Sequence, residues 1–118
     1  MEKLTPQQEA AMLALWKIEQ GFIKDLMEEM VEKQPYTTLA SIVKNLEKKG
    51  YVKSEKLANA YRYSPKIKEA DYKKKYIQGI VSSYFQSSYK DLVTFFAKDK
   101  KISAEELKEI IQLIEKGK

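Results

Sequence analysis

The 118-residue chain is predicted to be mainly α-helical with a small β wing, a winged helix-turn-helix followed by a helical dimerisation tail. Three observations predict this. Apolar residues recur at helical spacing through residues 5–49. Over residues 51–64 the pattern becomes a two-residue alternation rich in aromatics, the mark of strands. Helical spacing then returns, with more large apolar side chains than so short a tail can bury alone.

The first helix opens at Thr5-Pro6-Gln7-Gln8. Thr5 is a suitable N-cap, Pro6 fits the first helical position and Gln8 completes a capping box. Met12, Leu15 and Trp16 form its inward face, Trp16 as a core residue, and Gly21 marks its end. The second helix is expected from about Phe22 to Lys33. Ile23, Leu26, Met27 and Met30 face inward, Glu28, Glu29 and Glu32 face water, and Pro35 ends it. In the third helix Leu39, Ile42, Val43 and Leu46 sit at i, i+3, i+4 and i+7, so they share one face, and Gly50 stops it. Thr37, Ala40, Ser41, Lys44 and Lys48 lie opposite. Small polar side chains let a helix approach base edges, and lysines reach phosphates. An ordinary solvated face would carry similar residues, so the surroundings must decide.

Charge is the first of these. Residues 1–32 hold 3 lysines against 7 acids, residues 33–75 hold 12 Lys and Arg against 4 acids, and residues 76–118 hold 7 against 6. Nearly all the positive excess therefore falls on the third helix, the segment after it and the start of the next helix. Clustered cations in a near-neutral context are the footprint of a polyanion partner.

Two strands follow, Tyr51–Lys56 and Ala60–Ser64, joined through Leu57-Ala58-Asn59 with Asn59 able to take positive φ. Lys53, Lys56 and Arg62 on this hairpin are candidate phosphate contacts, and Tyr61 and Tyr63 are expected to pack on the helices. Pro65 closes the unit, giving a DNA-binding region at 1–66 and a helical region at 67–118. In the latter, one long helix carries Tyr72, Tyr76, Ile77, Ile80, Val81, Tyr84 and Phe85. Ser88–Asp91 opens a second, with Leu92, Phe95 and Phe96 inward. Ser103–Glu106 opens a third, with Leu107, Ile110, Ile111 and Ile114 along one side. The expected dimer contacts are Tyr76, Ile80, Tyr84, Phe85, Leu92, Phe95, Phe96, Leu107, Ile110, Ile111 and Ile114. A dimer lets two recognition helices address two half-sites of double-stranded DNA.

Composition removes other functions. The chain has no cysteine and no histidine, so a thiolate nucleophile, a zinc site and a histidine-based triad are excluded. Its four glycines make no phosphate-cradling pattern. No catalytic residue, metal or cofactor is expected. No apolar run approaches the roughly 18 residues of a transmembrane helix, and the N-terminus lacks a signal-peptide stretch, so the expected place is the cytoplasm without membrane insertion.

The order of these segments resembles the penicillinase-repressor and methicillin-resistance-repressor family, which includes copper-responsive repressors. The matching residues are Leu4-Thr5 with Ala14-Leu15-Trp16, Tyr36-Thr37-Thr38-Leu39 with Ile42-Val43, and Leu46-Glu47-Lys48-Lys49-Gly50-Tyr51-Val52. Tyr61–Pro65 with Glu69 and Tyr72, and Lys101–Leu107, extend the match along nearly the whole chain. The resemblance implies a homodimeric winged-helix repressor of a palindromic operator, with the C-terminal helices forming the dimer. It places Thr37, Thr38, Ser41 and Lys44 in the groove-facing part of the recognition helix, and it puts Asn45 where many relatives have arginine. It also implies a membrane sensor–protease system as an upstream partner, because the β-lactam-responsive members are cut at an Asn-Phe bond in the tail. Here Thr94-Phe95-Phe96 is the nearest match, with Phe95 in the asparagine position. The cysteine cluster of the copper-responsive members is missing, so copper control is not expected.

A winged helix can instead serve protein–protein contact without sequence-specific DNA binding, since fold alone does not fix function. An exposed apolar patch on the third helix would favour that reading. The Thr, Ser and Lys stripe favours DNA.

Overall fold

The structure, a computed structural model, describes residues 3–116. Its elements are α1 (Pro6–Ile18), α2 (Ile23–Glu29), α3 (Tyr36–Lys48), β1 (Val52–Leu57), β2 (Ala60–Pro65), α4 (Glu69–Phe85), α5 (Tyr89–Lys98) and α6 (Ala104–Lys116). The chain divides into two compact units, one running to Lys73 and one beginning at Lys74, so α4 contributes its first turn to the first unit.

The first unit is built on three helices and one hairpin. Gln8 N–H donates to Thr5 Oγ1 at 3.1 Å and Thr5 N–H to Gln8 Oε1 at 3.0 Å, which closes the expected capping box of α1. α1 ends at Ile18, with Glu19 at φ 72°, rather than at Gly21. Gly21 has a different task. Its N–H and C=O pair with Tyr63 at 2.9 and 2.8 Å, adding a bridge to the edge of the sheet. A Cβ there would stand 2.8 Å from Ile18 Cδ1 and 3.0 Å from Asp25 Cβ, so any larger residue would force both neighbours to shift.

α2 is shorter than its apolar spacing predicts. Phe22 is the residue before it, and the Phe22 N–H donates to Asp25 Oδ2 at 2.8 Å. At the far end Met30 turns extended, with its side chain 5% exposed in the core. Burying Met30 takes the backbone out of the helix before Pro35 is reached. Lys33 then caps the end, its Nζ donating to the carbonyls of Met27 and Glu28 at 3.0 and 2.9 Å. Pro35 serves as the N-cap of α3.

α3 closes as predicted at Gly50, which takes φ 84°. The Gly50 N–H reaches Glu47 O at 3.0 Å and the Tyr51 N–H reaches Leu46 O at 2.9 Å, a Schellman closure. β1 and β2 pair antiparallel from Val52↔Pro65 to Leu57↔Ala60, leaving the two-residue turn Ala58-Asn59. The positive φ falls on Ala58, at 55°, and not on Asn59 as expected. A two-residue hairpin of primed type needs it at its first central position.

The core gathers Met12, Leu15, Leu26, Leu39, Val43, Leu46, Tyr51 and Val52, each at most 2% exposed. Burying each of the larger aliphatic groups contributes roughly 1.5–3 kcal/mol. Three aromatics close one side. Trp16 and Tyr72 have centroids 5.4 Å apart, and Tyr51 meets Tyr72 edge-on at 6.1 Å. Trp16 Nε1 donates to Ile67 O at 2.8 Å, and the Tyr72 hydroxyl donates to Glu9 Oε2 at 2.6 Å. Tyr72 therefore carries this unit past Ile67 into the first turn of α4.

The second unit has little interior. Val81 is buried, whereas no residue of α5 or α6 is. Ser103 and Glu106 form the expected reciprocal cap, both bonds 3.0 Å, and these bonds hold the Glu106 carboxyl below the usual carboxylate range. Ser88 accepts from the Asp91 N–H at 3.1 Å. Phe85 meets Phe95 at 5.7 Å and Phe95 meets Phe96 at 5.3 Å, both edge-on. Leu92 is half-buried. Phe95 and Phe96, expected inward with it, are exposed, because two short helices have no opposing layer to cover them.

Candidate nucleic-acid interface

α3 turns about 100° per residue, which places Thr37, Ser41, Lys44 and Lys48 within about 60° of one another, opposite the buried Leu39, Ile42, Val43 and Leu46. All four are exposed. Thr38 and Asn45, also exposed, lie together on one flank of this stripe. The other flank carries Tyr36, Ala40 and Glu47 and faces the hairpin, where the Ser54 hydroxyl donates to Glu47 Oε2 at 2.6 Å. That bond ties α3 to the wing. The end of α3 is tied to α1 as well, since Lys49 Nζ donates to Gln8 Oε1 at 2.9 Å and to Lys3 O at 3.3 Å. Of the adjacent lysines, Lys48 thus points to solvent and Lys49 is occupied within the fold.

The strand register sorts the side chains of the wing onto two faces. The candidate phosphate contacts Lys53, Lys56 and Arg62 do not share a face. The register pairs Glu55 with Arg62 and Lys53 with Ser64 on one face, and Lys56 with Tyr61 and Ser54 with Tyr63 on the other. Arg62 also pairs with Glu55, Nη2 to Oε1 at 3.4 Å. An exposed pair of this kind is worth roughly 0–1 kcal/mol, so it biases the guanidinium without removing it.

The two tyrosines also part company. Tyr63 is 5% exposed, as expected, whereas Tyr61 is 50% exposed. They lie on one face of β2, but Tyr61 is nearer the turn, where the strand has run past the helices. Burial first, then the Glu47 carboxylate, pushes the Tyr63 hydroxyl up from its ordinary value.

Between α3 and the wing runs an open groove of about 540 Å³, walled by Tyr36 and Lys44 on one side and by Tyr61 and Asn59 on the other. The sequence reading did not single out Tyr36 or Tyr61 as site residues. Their signal was present as a second ridge, Tyr36–Ala40–Lys44 at i, i+4, i+8, beside the polar one.

The wing gives a quantitative expectation. Lys53→Ala should weaken specific and random duplexes equally and reduce the slope of log affinity against log salt by about 0.9, the value for one phosphate contact. Arg62→Ala should change it less, because Glu55 already shares that charge. Titrations at several salt concentrations check both. Altered specificity with an unchanged slope would mean that the wing reads bases.

Fold and surface together define a winged helix-turn-helix protein with a helical tail. The chain belongs to the penicillinase repressor family, whose family model matches residues 4–116, and this is a family of transcriptional regulators rather than enzymes. It is 32% identical over 92 residues to the penicillinase repressor of Staphylococcus aureus, covering 74% of this chain and 73% of that one. It is 23% identical over 109 residues to the penicillinase repressor of Bacillus licheniformis, covering 91% and 85%. In fold it resembles TrmBL2, an archaeal chromatin protein described as showing a novel mode of DNA binding, with a TM-score of 0.51 and 23% identity. That match covers 96% of this chain and 40% of the archaeal one. Among the described residues no helix is long and apolar enough to cross a membrane.

Proposed function

We propose that the chain is a homodimeric transcriptional repressor that binds a palindromic operator in double-stranded DNA. Thr37, Thr38, Ser41, Lys44, Asn45 and Lys48 would enter the major groove, and Lys53, Lys56 and Arg62 would lie against phosphates. One observation carries this reading: the stripe of α3 opposite its buried face is entirely small-polar or cationic and is exposed. It crowns the segment with the chain's positive excess. A protein-docking helix needs an apolar patch there, and the large apolar residues of α3 are buried except Tyr36 at its start.

The dimer reading is supported by the tail. Tyr76, Tyr84, Phe95, Phe96, Ile110, Ile111 and Ile114 are all exposed, while Ile80, Phe85, Leu92 and Leu107 are half-buried beneath them. Together they leave a large apolar area in need of cover, which a second copy of the same surface would meet by two-fold symmetry.

Control by a sensor protease is the family's implied route, but it is not part of the proposal. Thr94, Phe95 and Phe96 lie inside α5, where a protease would first have to unwind the helix, and Phe95 occupies the asparagine position.

Selection from a pool of randomised duplexes tests the function. The expected product is one dyad-symmetric sequence bound with at least about 10³-fold preference over random DNA. Recovery of sequences no tighter than the starting pool would overturn sequence-specific binding.

A further inference from the structure

Tyr36 and Tyr61 both line the groove between α3 and the wing, each half exposed. Among the described residues neither hydroxyl makes a hydrogen bond, although both act on the buried Tyr63 hydroxyl electrostatically. On the α3 side the floor is Ala40, whose small side chain leaves the groove open, and Lys44 stands one turn further along. Lys24 contributes a second cation. Asp25 also lines the groove, but its Oδ2 already accepts the Phe22 N–H at 2.8 Å, which holds the carboxylate at the start of α2. Two half-exposed phenolic donors and two cations around an apolar floor suit an anionic chain with a flat, weakly polar spine.

We propose that this groove seats one strand of the operator's sugar–phosphate backbone. The Tyr36 and Tyr61 hydroxyls donate to phosphate oxygens, their rings pack against the sugars, and Lys44 balances the charge. The assignment rests on the DNA-binding reading of α3 and adds two residues that charge does not reveal. The groove is continuous with the outward stripe, since Lys44 belongs to both. A strand leaving the major groove beside α3 therefore runs directly into it. Backbone contacts of this kind fix register without reading sequence.

The test uses the full chain and its Tyr36→Phe, Tyr61→Phe and double variants, titrated against operator and random duplexes at several salt concentrations. Phenylalanine keeps the ring and removes only the donor. Each hydroxyl bonded to a charged acceptor should be worth about tenfold or more in affinity. The loss should be equal on both duplexes. The salt slope should not move, because no charge is removed, and the melting temperature should be unchanged.

On the DNA side, a neutral methylphosphonate at the seated phosphate of each half-site should weaken the wild-type chain more than the double variant, which has only the Lys44 attraction left to lose there. If no methylphosphonate position distinguishes the two proteins, or if the double variant binds both duplexes as tightly as wild type, the groove is not a backbone seat. The latter outcome would free it for a small ligand. A loss confined to the operator would mean that the tyrosines read bases, and would also overturn the proposal. A wild-type chain that binds neither duplex overturns this assignment together with the reading of α3 beneath it.

Discussion

A chain ending at Lys73 is expected to be a monomer and to bind the operator at least about a hundredfold more weakly than the full chain, the low end of what bivalent attachment adds. The cut is placed by the core. Ending at Pro65 would remove Ile67, whose carbonyl accepts from Trp16, and Tyr72, whose hydroxyl reaches Glu9. Ending at Lys73 keeps both, along with the Trp16–Tyr72 and Tyr51–Tyr72 contacts, so the core beneath α3 stays supported. What is lost is the tail. There Phe95 is 56% exposed, Ile111 52% and Ile114 58%, which leaves large apolar groups in water unless a partner covers them. Aromatic anchors in a packed interface can each be worth roughly 2 kcal/mol or more. In the full chain, Phe95→Asp with Ile111→Asp should have the same consequence by placing charges where the two copies meet. Sedimentation at micromolar concentration checks both. A dimeric truncation, or a monomeric wild-type chain, would remove the tail from the account.

Ser41→Trp is expected to lower operator affinity to the level of random DNA, a loss of about 10³-fold or more, while circular dichroism stays unchanged. Ser41 lies on the exposed stripe of α3, one residue before the buried Ile42 and turned away from it. An indole there meets solvent in the free protein but fills the space a base edge must occupy in the complex. Fold and binding should therefore separate cleanly. Lys44→Ala should act otherwise, weakening all duplexes alike. Operator affinity unchanged in Ser41→Trp would mean that α3 is not the reading helix.

Most of the winged unit was legible in the sequence because its signals are local. The Thr5–Gln8 capping box, the i, i+3, i+4, i+7 run from Leu39 to Leu46 and the stop at Gly50 each need only neighbouring residues to act, as does the Ser103–Glu106 box in the tail. The discrepancies are tertiary. Met30 ended α2 early because the core drew its side chain in. Gly21 served a bridge to Tyr63 across 42 positions, which no local pattern could register. Ala58 took the positive φ that Asn59 was expected to take, because strand register and not side-chain preference fixed the turn. In the candidate site, the outward stripe of α3 was readable from helical period alone. The wing was less so. Alternation could have shown that Lys56 opposes Lys53 and Arg62, but only the depth of the hairpin separates the buried Tyr63 from the half-exposed Tyr61.

Nuclease protection over the DNA upstream of the chain's own operon tests the central claim most directly. The account predicts a protected site with two-fold symmetry, its half-sites about one helical turn or a whole number of turns apart on one face of the duplex. It also predicts that Ser41→Trp loses this footprint while the Lys53→Ala variant keeps the same boundaries at higher protein concentration. Protection without dyad symmetry, or none at any concentration that saturates random DNA, would contradict it.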